Sequence, residues 1–275
     1  MEQMSLLEKL KYNVEKKVDL VETAPARYFM RAMLAAVFLT LATTTSFLVA
    51  EHIEHFLLII LPETADVATA SYNLTKIMYA ISFGWALVMI LFMNTELFTS
   101  NAMYFSSQLF LKNVSWKKAL KVLTLCYLGN FVGAVLISLL FVYSGTFSGA
   151  TSHFADHVVL AKLAKDPLTI LLQGIIANLV VNIAVMLAMN LKDDIAKVVA
   201  IIVTVFAFAF FGSEHVIANF ASFSLVGFAT GFEGMSVMSI LTNFLFSTIG
   251  NIIGGGVLIG VVYAWLNKGD FKYKD

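Results

Sequence analysis

Asn94-Thr95-Glu96-Leu97-Phe98-Thr99-Ser100-Asn101 is a polar run set inside an otherwise apolar stretch at about residues 73–110. A second such run, Gly212-Ser213-Glu214-His215-Val216-Ile217-Ala218-Asn219, interrupts the apolar stretch 197–222. The two runs correspond. Glu96 and Asn101 stand five residues apart, as do Glu214 and Asn219, and 118 residues separate the pairs. Further along, Gly129-Asn130-Phe131-Val132-Gly133 matches Gly250-Asn251-Ile252-Ile253-Gly254 at an offset of 121. A nearly constant offset over two motifs marks an internal repeat.

Outward from these runs, long apolar stretches fall at about 29–50, 73–110, 119–143, 167–191, 197–222 and 240–266. Each reaches the roughly 20 residues that a helix needs to cross a bilayer. Three spans fall in each half. An odd number per half forces the second half to enter upside down, which is the inverted-repeat plan. The fold class predicted is therefore an all-α membrane protein. It has six transmembrane helices in two inverted three-helix repeats (about 29–143 and 167–266), with the second and fifth helices broken. The stretch 52–72, with Phe56-Leu57-Leu58-Ile59-Ile60, reads as too short and acid-flanked to cross, and is expected to lie on or fold back into the outer face.

Composition agrees with immersion in lipid. Of 275 residues, 59% are apolar and 13% charged, against about 45–50% and 25% in average globular chains. The net charge is zero, so no polyanionic partner is implied and nucleic acid is excluded. One cysteine, Cys126, and three prolines exclude a disulfide framework and a cysteine-rich metal site. Residues 1–28 are charged and lack the apolar core of a signal peptide. They read as an amphipathic helix that plugs the cytoplasmic mouth or lies at the interface with snorkelling lysines. With six spans, 15 of the 18 Lys and Arg residues, Lys272 and Lys274 in the 267–275 tail among them, fall on the side of the termini. Only Lys76, Lys162 and Lys165 fall on the other. Basic loops stay inside, so both termini are expected in the cytoplasm.

Unwound backbone in hydrocarbon leaves N–H and C=O groups unpaired at several kcal/mol each, and persists only where protein covers it or water lines it. Two breaks related by the repeat axis are expected to meet near the centre and line a path. Their half-helix N-termini present positive dipole ends to an anion. Glu96 and Glu214 are read as carboxylates that accept the freed backbone N–H groups, with Asn101 and Asn219 as their companions in stabilising the breaks. The glycine-rich runs 129–134 and 250–256 read first as close helix packing.

His215 sits in the second break at midplane depth, where an ionisable side chain is a functional candidate. Thr99, in the first break, is placed to hydrogen-bond it and fix its tautomer. Lys162, on the outer side, is placed to draw anions inward. Phe83, Leu87, Leu97, Phe98 and Phe208 flank the breaks and form candidate apolar collars, which oppose bare ions and pass a neutral acid more easily. His52, His55, His153 and His157 fall in outer segments, and no carboxylate–His pattern completes a metal site there. The sequence contains no Walker A run, no Rossmann glycines, no HExxH and no Ser/His/Asp spacing. No cofactor and no enzymatic activity are expected.

These residues carry a resemblance. Glu96-Leu-Phe-Thr-Ser100, Leu128-Gly-Asn-Phe-Val-Gly-Ala134, Ile176-Ala-Asn-Leu179, Glu214-His-Val-Ile-Ala-Asn219 and Thr248-Ile-Gly-Asn-Ile-Ile-Gly-Gly-Gly256 are similar, in order and along nearly the whole chain, to the signatures of the formate/nitrite transporter family. The resemblance implies an aquaporin-like fold and a homopentamer with one pore per protomer. By position, His215 matches the family's central histidine and Thr99 the threonine facing it. Asn178 and Lys162 match the fourth-span asparagine and the vestibule lysine. Phe83 and Phe208 match the outer collar, and Leu87 and Phe98 the inner one, with Leu97 beside them. Two residues depart from the pattern: Ser213 stands where formate-type members often carry an aromatic, and Asn182 where several carry a small or sulfur-bearing residue. The function expected is a channel or transporter in the plasma membrane for formate, nitrite or a related short monocarboxylate, moving the anion with a proton. Lactate- or hydrosulfide-preferring transport is the nearest alternative. A water or polyol pore lacks the Asn-Pro-Ala breaks it would need.

Overall fold

The computed structural model describes residues 4–61, 64–149 and 153–269, and among these the chain is helical without strands. Helix α1 (Leu6–Thr23) opens on a capping box, with Ser5 and Glu8 exchanging side-chain and backbone hydrogen bonds. Its buried residues Leu6, Leu10, Val14, Lys17 and Val21 recur every three or four positions and so share one face. A single residue, Ala24, separates it from α2 (Pro25–Ile60), which starts with proline where no donor is needed. Helix α1 therefore ends before residue 28, and it packs on protein, its buried face lying against α2, α5 (Phe98–Phe110) and α6 (Trp116–Tyr143).

Helix α2 runs unbroken for 36 residues. Residues 52–60 thus continue the first long helix and do not fold back, which corrects the expectation for that stretch. Its acids have partners elsewhere on the chain. Glu51 accepts the backbone N–H of Phe154 at 2.9 Å, and Glu54 lies 3.2 Å from the His153 ring. Pro62 and Glu63 lie outside the described residues, as does the tail from Asp270 on.

Helices α3 (Ala65–Phe83) and α4 (Ala86–Phe92) follow, joined at Gly84, where an added Cβ would stand 2.9 Å from Ile202. The later elements are α7 (His153–Leu163), α8 (Pro167–Asn190), α9 (Asp194–Phe211), α10 (Val216–Thr230), α11 (Val237–Asn251), a π-helical stretch Ile252–Val261, and α12 (Val262–Leu266). Six helical stretches among the described residues are long and apolar enough to cross a membrane: Pro25–Ile60, Val67–Phe92, Trp116–Tyr143, Pro167–Asn190, Asp194–Phe211 and Val237–Leu266. Their outer faces carry large exposed apolar side chains, such as Leu140, Leu172, Val203 and Leu245, as a lipid-facing surface must. This is a multi-pass membrane protein.

The polar runs fall between helices. After α4 the chain leaves the helix through Asn94, at φ 51°, a left-handed conformation that asparagine tolerates. After α9 it leaves through Gly212, at φ 66°. Each segment is braced by one asparagine from a neighbouring helix. Asn130 of α6 accepts the Phe98 N–H at 2.9 Å and donates to the carbonyls of Glu96 (2.9 Å) and Ala32 (2.6 Å). Asn251 of α11 accepts the Val216 N–H at 2.9 Å and donates to the carbonyls of Glu214 (2.8 Å) and Gly174 (2.8 Å). Packing repeats in the same way. Helix α2 lies along α6 as α8 lies along α11, while α5 packs on the π stretch and α10 on α6.

Close approach explains the second glycine run. A Cβ on Gly254 would strike the Ile175 carbonyl oxygen and stand 2.9 Å from its carbon, whereas one on Gly149 would meet only Ala229 O at 3.4 Å.

Two stability predictions follow from these contacts. Asn251→Ala strands the Val216 N–H and the Glu214 carbonyl at roughly 1–3 kcal/mol each, so the thermal unfolding midpoint of the detergent-solubilised protein should fall by several degrees. Gly254→Val forces backbone apart and should lower the same midpoint by an amount equivalent to about 1–3 kcal/mol or more, while Gly149→Ala leaves it near the parent value.

Candidate functional site

Three cavities lie along the gap between the two non-helical segments. The first, about 50 Å³, is bounded by Phe47, Tyr79, Phe83, Lys162, Phe208, Ser213 and Ser222, among others. The second, about 20 Å³, is enclosed by Leu39, Phe83, Leu87, Ile90, Leu97, Val181, Val205, Phe208 and His215. The third, about 80 Å³, is bounded by Asn13, Lys16 and Lys17 of α1 together with Ile90, Thr95, Glu96, Leu97, Ser100 and Tyr104. Shared residues show where they abut. Phe83 and Phe208, with ring centroids 5.9 Å apart, separate the first cavity from the second. Ile90 and Leu97 separate the second from the third.

In the middle cavity the imidazole of His215, a residue 2% exposed, is the one polar side chain on the wall among the described residues. Helix α10 puts it there: His215 is its N-cap, and Nδ1 accepts the backbone N–H of Ala218 at 3.2 Å. A nitrogen that accepts a hydrogen bond carries no proton. The ring hydrogen of the neutral imidazole therefore sits on Nε2, which donates to the Thr99 hydroxyl at 2.9 Å. The Phe208 ring stands edge-on to the imidazole at 5.6 Å.

Behind Thr99 lies an amide ladder. Asn178 donates to the Thr99 carbonyl (3.1 Å) and to the Asn251 carbonyl (2.6 Å). Asn182, one turn on, donates to the Thr99 carbonyl (3.3 Å) and to Asn178. Thr99, Asn178 and Asn182 line none of the three cavities. Asn178, taken from sequence as a pore residue, is a backbone brace one layer behind the wall.

The carboxylates are held by side chains. Glu96 accepts Lys17 Nζ at 2.5 Å and Asn101 Nδ2 at 3.0 Å. Glu214 accepts Lys165 at 2.5 Å, Lys162 at 3.2 Å, Asn219 at 2.7 Å and Asn243 at 3.1 Å. The role expected of both acids, as acceptors for freed backbone N–H groups, is thus corrected. Asn130 and Asn251 serve the backbone, because an amide offers donor and acceptor at once, and the carboxylates neutralise lysines. Lys162 also donates to the Ser213 carbonyl at 3.0 Å. Burial pulls its ammonium below the ordinary lysine value, opposed by the Glu214 charge beside it.

Of the collar residues, Phe83, Phe208, Leu87 and Leu97 face the middle cavity. Phe98 does not: its ring packs edge-on to Tyr127 at 5.0 Å, and it lines none of the three. Sequence reasoning missed Ile90, Lys17, Lys165 and the bracing role of Asn130 and Asn251. The repeated Gly-Asn pair was the available signal for the last two. Lys165, three positions after Lys162 in the short connection between α7 and α8, was a weaker one.

The family model described as "Formate/nitrite transporter" matches residues 4–265. The chain is 28% identical over 262 residues to the uncharacterized transporter YwcJ of Bacillus subtilis (strain 168), covering 95% of this chain and 97% of that protein. Among solved structures it resembles one titled "FNT family ion channel" with a TM-score of 0.83 at 24% identity, covering 94% of this chain and 98% of that one. It also resembles one titled "Pentameric formate channel with formate bound" with a TM-score of 0.70 at 23% identity, covering 89% and 98%. The chain belongs to the formate/nitrite transporter family.

Proposed function

We propose that the protein is a proton-coupled pore for small monovalent weak-acid anions, formate and nitrite foremost. The observation that carries this reading is the row of three cavities, the smallest closed by hydrocarbon at both ends and holding one neutral imidazole. An anion enters the outer cavity beside Lys162. As it approaches the Phe83–Phe208 collar it loses water, and falling dielectric favours its neutral form. It takes a proton from water, or from a His215 ring that water has first protonated, crosses Phe83/Phe208 and then Leu87, Ile90 and Leu97 as the acid, and releases the proton beyond. Net flux is one anion with one proton. Bare ions are opposed because neither collar offers a substitute for hydration.

Size supports one-carbon acids and nitrite over lactate. A cavity needs roughly 10–15 Å³ to hold a single water, and the middle one measures about 20 Å³.

The architecture behind this reading is two inverted three-helix repeats, with the second and fifth transmembrane helices broken at residues 93–97 and 212–215. The matched braces, Asn130 on Glu96 and Phe98 against Asn251 on Glu214 and Val216, support it. So does the way α5 and α10 each pack on the last long helix of the opposite half. Residues 29–266 form the pore domain in this scheme, with residues 1–28 at the cytoplasmic mouth, where α1 supplies Asn13, Lys16 and Lys17 to the inner cavity. The lysine and arginine distribution supports cytoplasmic termini in a plasma membrane. The family, and a relative titled as a pentamer, support a homopentamer with one pore per protomer.

Labelled-formate uptake into proteoliposomes tests the reading. His215→Ala should cut the rate on the order of 100-fold, the lower end of what a positioned proton-transfer group supplies, with the oligomer intact by size-exclusion chromatography. Uptake at the parent rate would refute the role of His215. Accumulation indifferent to a protonophore would mean the anion travels without its proton, and osmotic swelling without anion uptake would mean a water pore. Phe208→Ala should admit labelled lactate faster than the parent does, read in the same assay.

A further inference from the structure

We propose that Lys165 gives the outer cavity a net positive charge. It neutralises Glu214, leaving Lys162 as the cation that binds a small monovalent oxyanion there. This rests on the transport reading above and adds a residue and a binding station to it.

The Glu214 side chain has no exposure to solvent, and four donors occupy its two oxygens. Lys165 makes the shorter of the two ammonium contacts, 2.5 Å against 3.2 Å, and is steadied by Gln173 Oε1 at 2.6 Å. It lines none of the three cavities. Lys162 does line the outer one, its side chain is 12% exposed, and its protein acceptors among the described residues are Ser213 O and Glu214. An ammonium has three donors, so one N–H remains for an occupant.

Charge then decides. With one lysine, Glu214 and its partner would cancel, and the cavity would hold a neutral dipole. Two lysines and one carboxylate leave one uncompensated positive charge in a largely desolvated site, where Coulomb attraction is several-fold stronger than in water. The inner mouth lacks this feature: Lys17 and Glu96 pair one to one, and Lys16 at its rim is exposed and solvated. The walls set the occupant's size and valence. Phe47, Tyr79, Phe83 and Phe208 enclose about 50 Å³ beside the Lys162 ammonium, which suits one small monoanion and leaves a second negative charge without a partner. In this scheme Lys162 touches the anion and Lys165 is a positioning residue acting through Glu214.

Two readouts test the proposal. In proteoliposomes, Lys165→Gln and Lys165→Met should raise KM for external formate on the order of tenfold, with the loss falling on KM more than on Vmax, and Lys165→Arg should restore KM. In detergent, sodium nitrite should raise the thermal midpoint of the parent and of Lys165→Arg more than that of the uncharged variants, with sodium gluconate as control. Two neutral replacements guard against one failing to fold, since Met keeps the stem packing and Gln the polarity. An unchanged KM and unchanged nitrite stabilisation in a folded neutral variant would overturn the proposal while leaving the transport reading intact. The proposal also fails if Lys165→Arg is impaired as badly as Lys165→Gln, because charge is then not what the position supplies. Proteoliposomes that pass neither formate nor nitrite, with nitrite stabilisation still dependent on Lys165, would overturn the transport reading and leave the anion site standing.

Discussion

Peptide groups cannot be left unpaired in a layer without water, and this requirement organises the molecule. At two places the chain gives up helical hydrogen bonding to start a new helix in the interior, at Phe98 and at Val216. Each start exposes N–H and C=O groups that neither solvent nor lipid can serve. One asparagine from a neighbouring helix takes up two of them, accepting an N–H with its oxygen and donating to a carbonyl with its nitrogen, while its other N–H ties the segment to a carbonyl of α2 or α8. Aspartate lacks the donors, and lysine lacks the acceptor. A neutral amide also adds no charge to a region where an unbalanced one is costly.

Because these groups are satisfied from behind, the wall facing the gap is free to be hydrocarbon. The middle cavity has His215 and otherwise apolar side chains, while Thr99, Asn178 and Asn182 form a polar layer one residue back. Charge is pushed to the ends, where each acid is paired: Glu96 to Lys17 on one side, Glu214 to Lys162 and Lys165 on the other. The N-cap contact serves twice. The hydrogen bond that starts α10 also decides which ring nitrogen carries the hydrogen.

What the sequence disclosed was mostly local. Polar runs inside apolar stretches marked where α4 and α9 end, and the Glu-to-Asn spacing of five marked them as a pair. His215, Thr99 and Leu97 were visible because they sit in the breaks, and Phe83, Leu87 and Phe208 because they flank the breaks at positions that match the family's collars. What stayed hidden depends on contacts between distant segments. Lys17 meets Glu96 across 79 residues: its helical register with Leu10, Val14 and Val21 puts it on the buried face of α1, but nothing local names its partner. Ile90 is one more isoleucine in an apolar run until the fold makes it a collar residue. Phe98 reads like a collar residue from its position, yet its backbone is held by Asn130 and its ring turns to Tyr127. The length of α2 was masked by acids that find partners on α7, and the π stretch 252–261 has no signature beyond its glycines.

The three cavities differ fourfold in volume, and the smallest lies between the other two. In the proposed pore, traffic through such a row is single file. A compartment with room for one small molecule admits its successor only after the occupant leaves, so throughput reaches a ceiling set by residence time there, however steep the gradient across the bilayer. Two solutes sharing the passage then obstruct each other even when only one of them lingers.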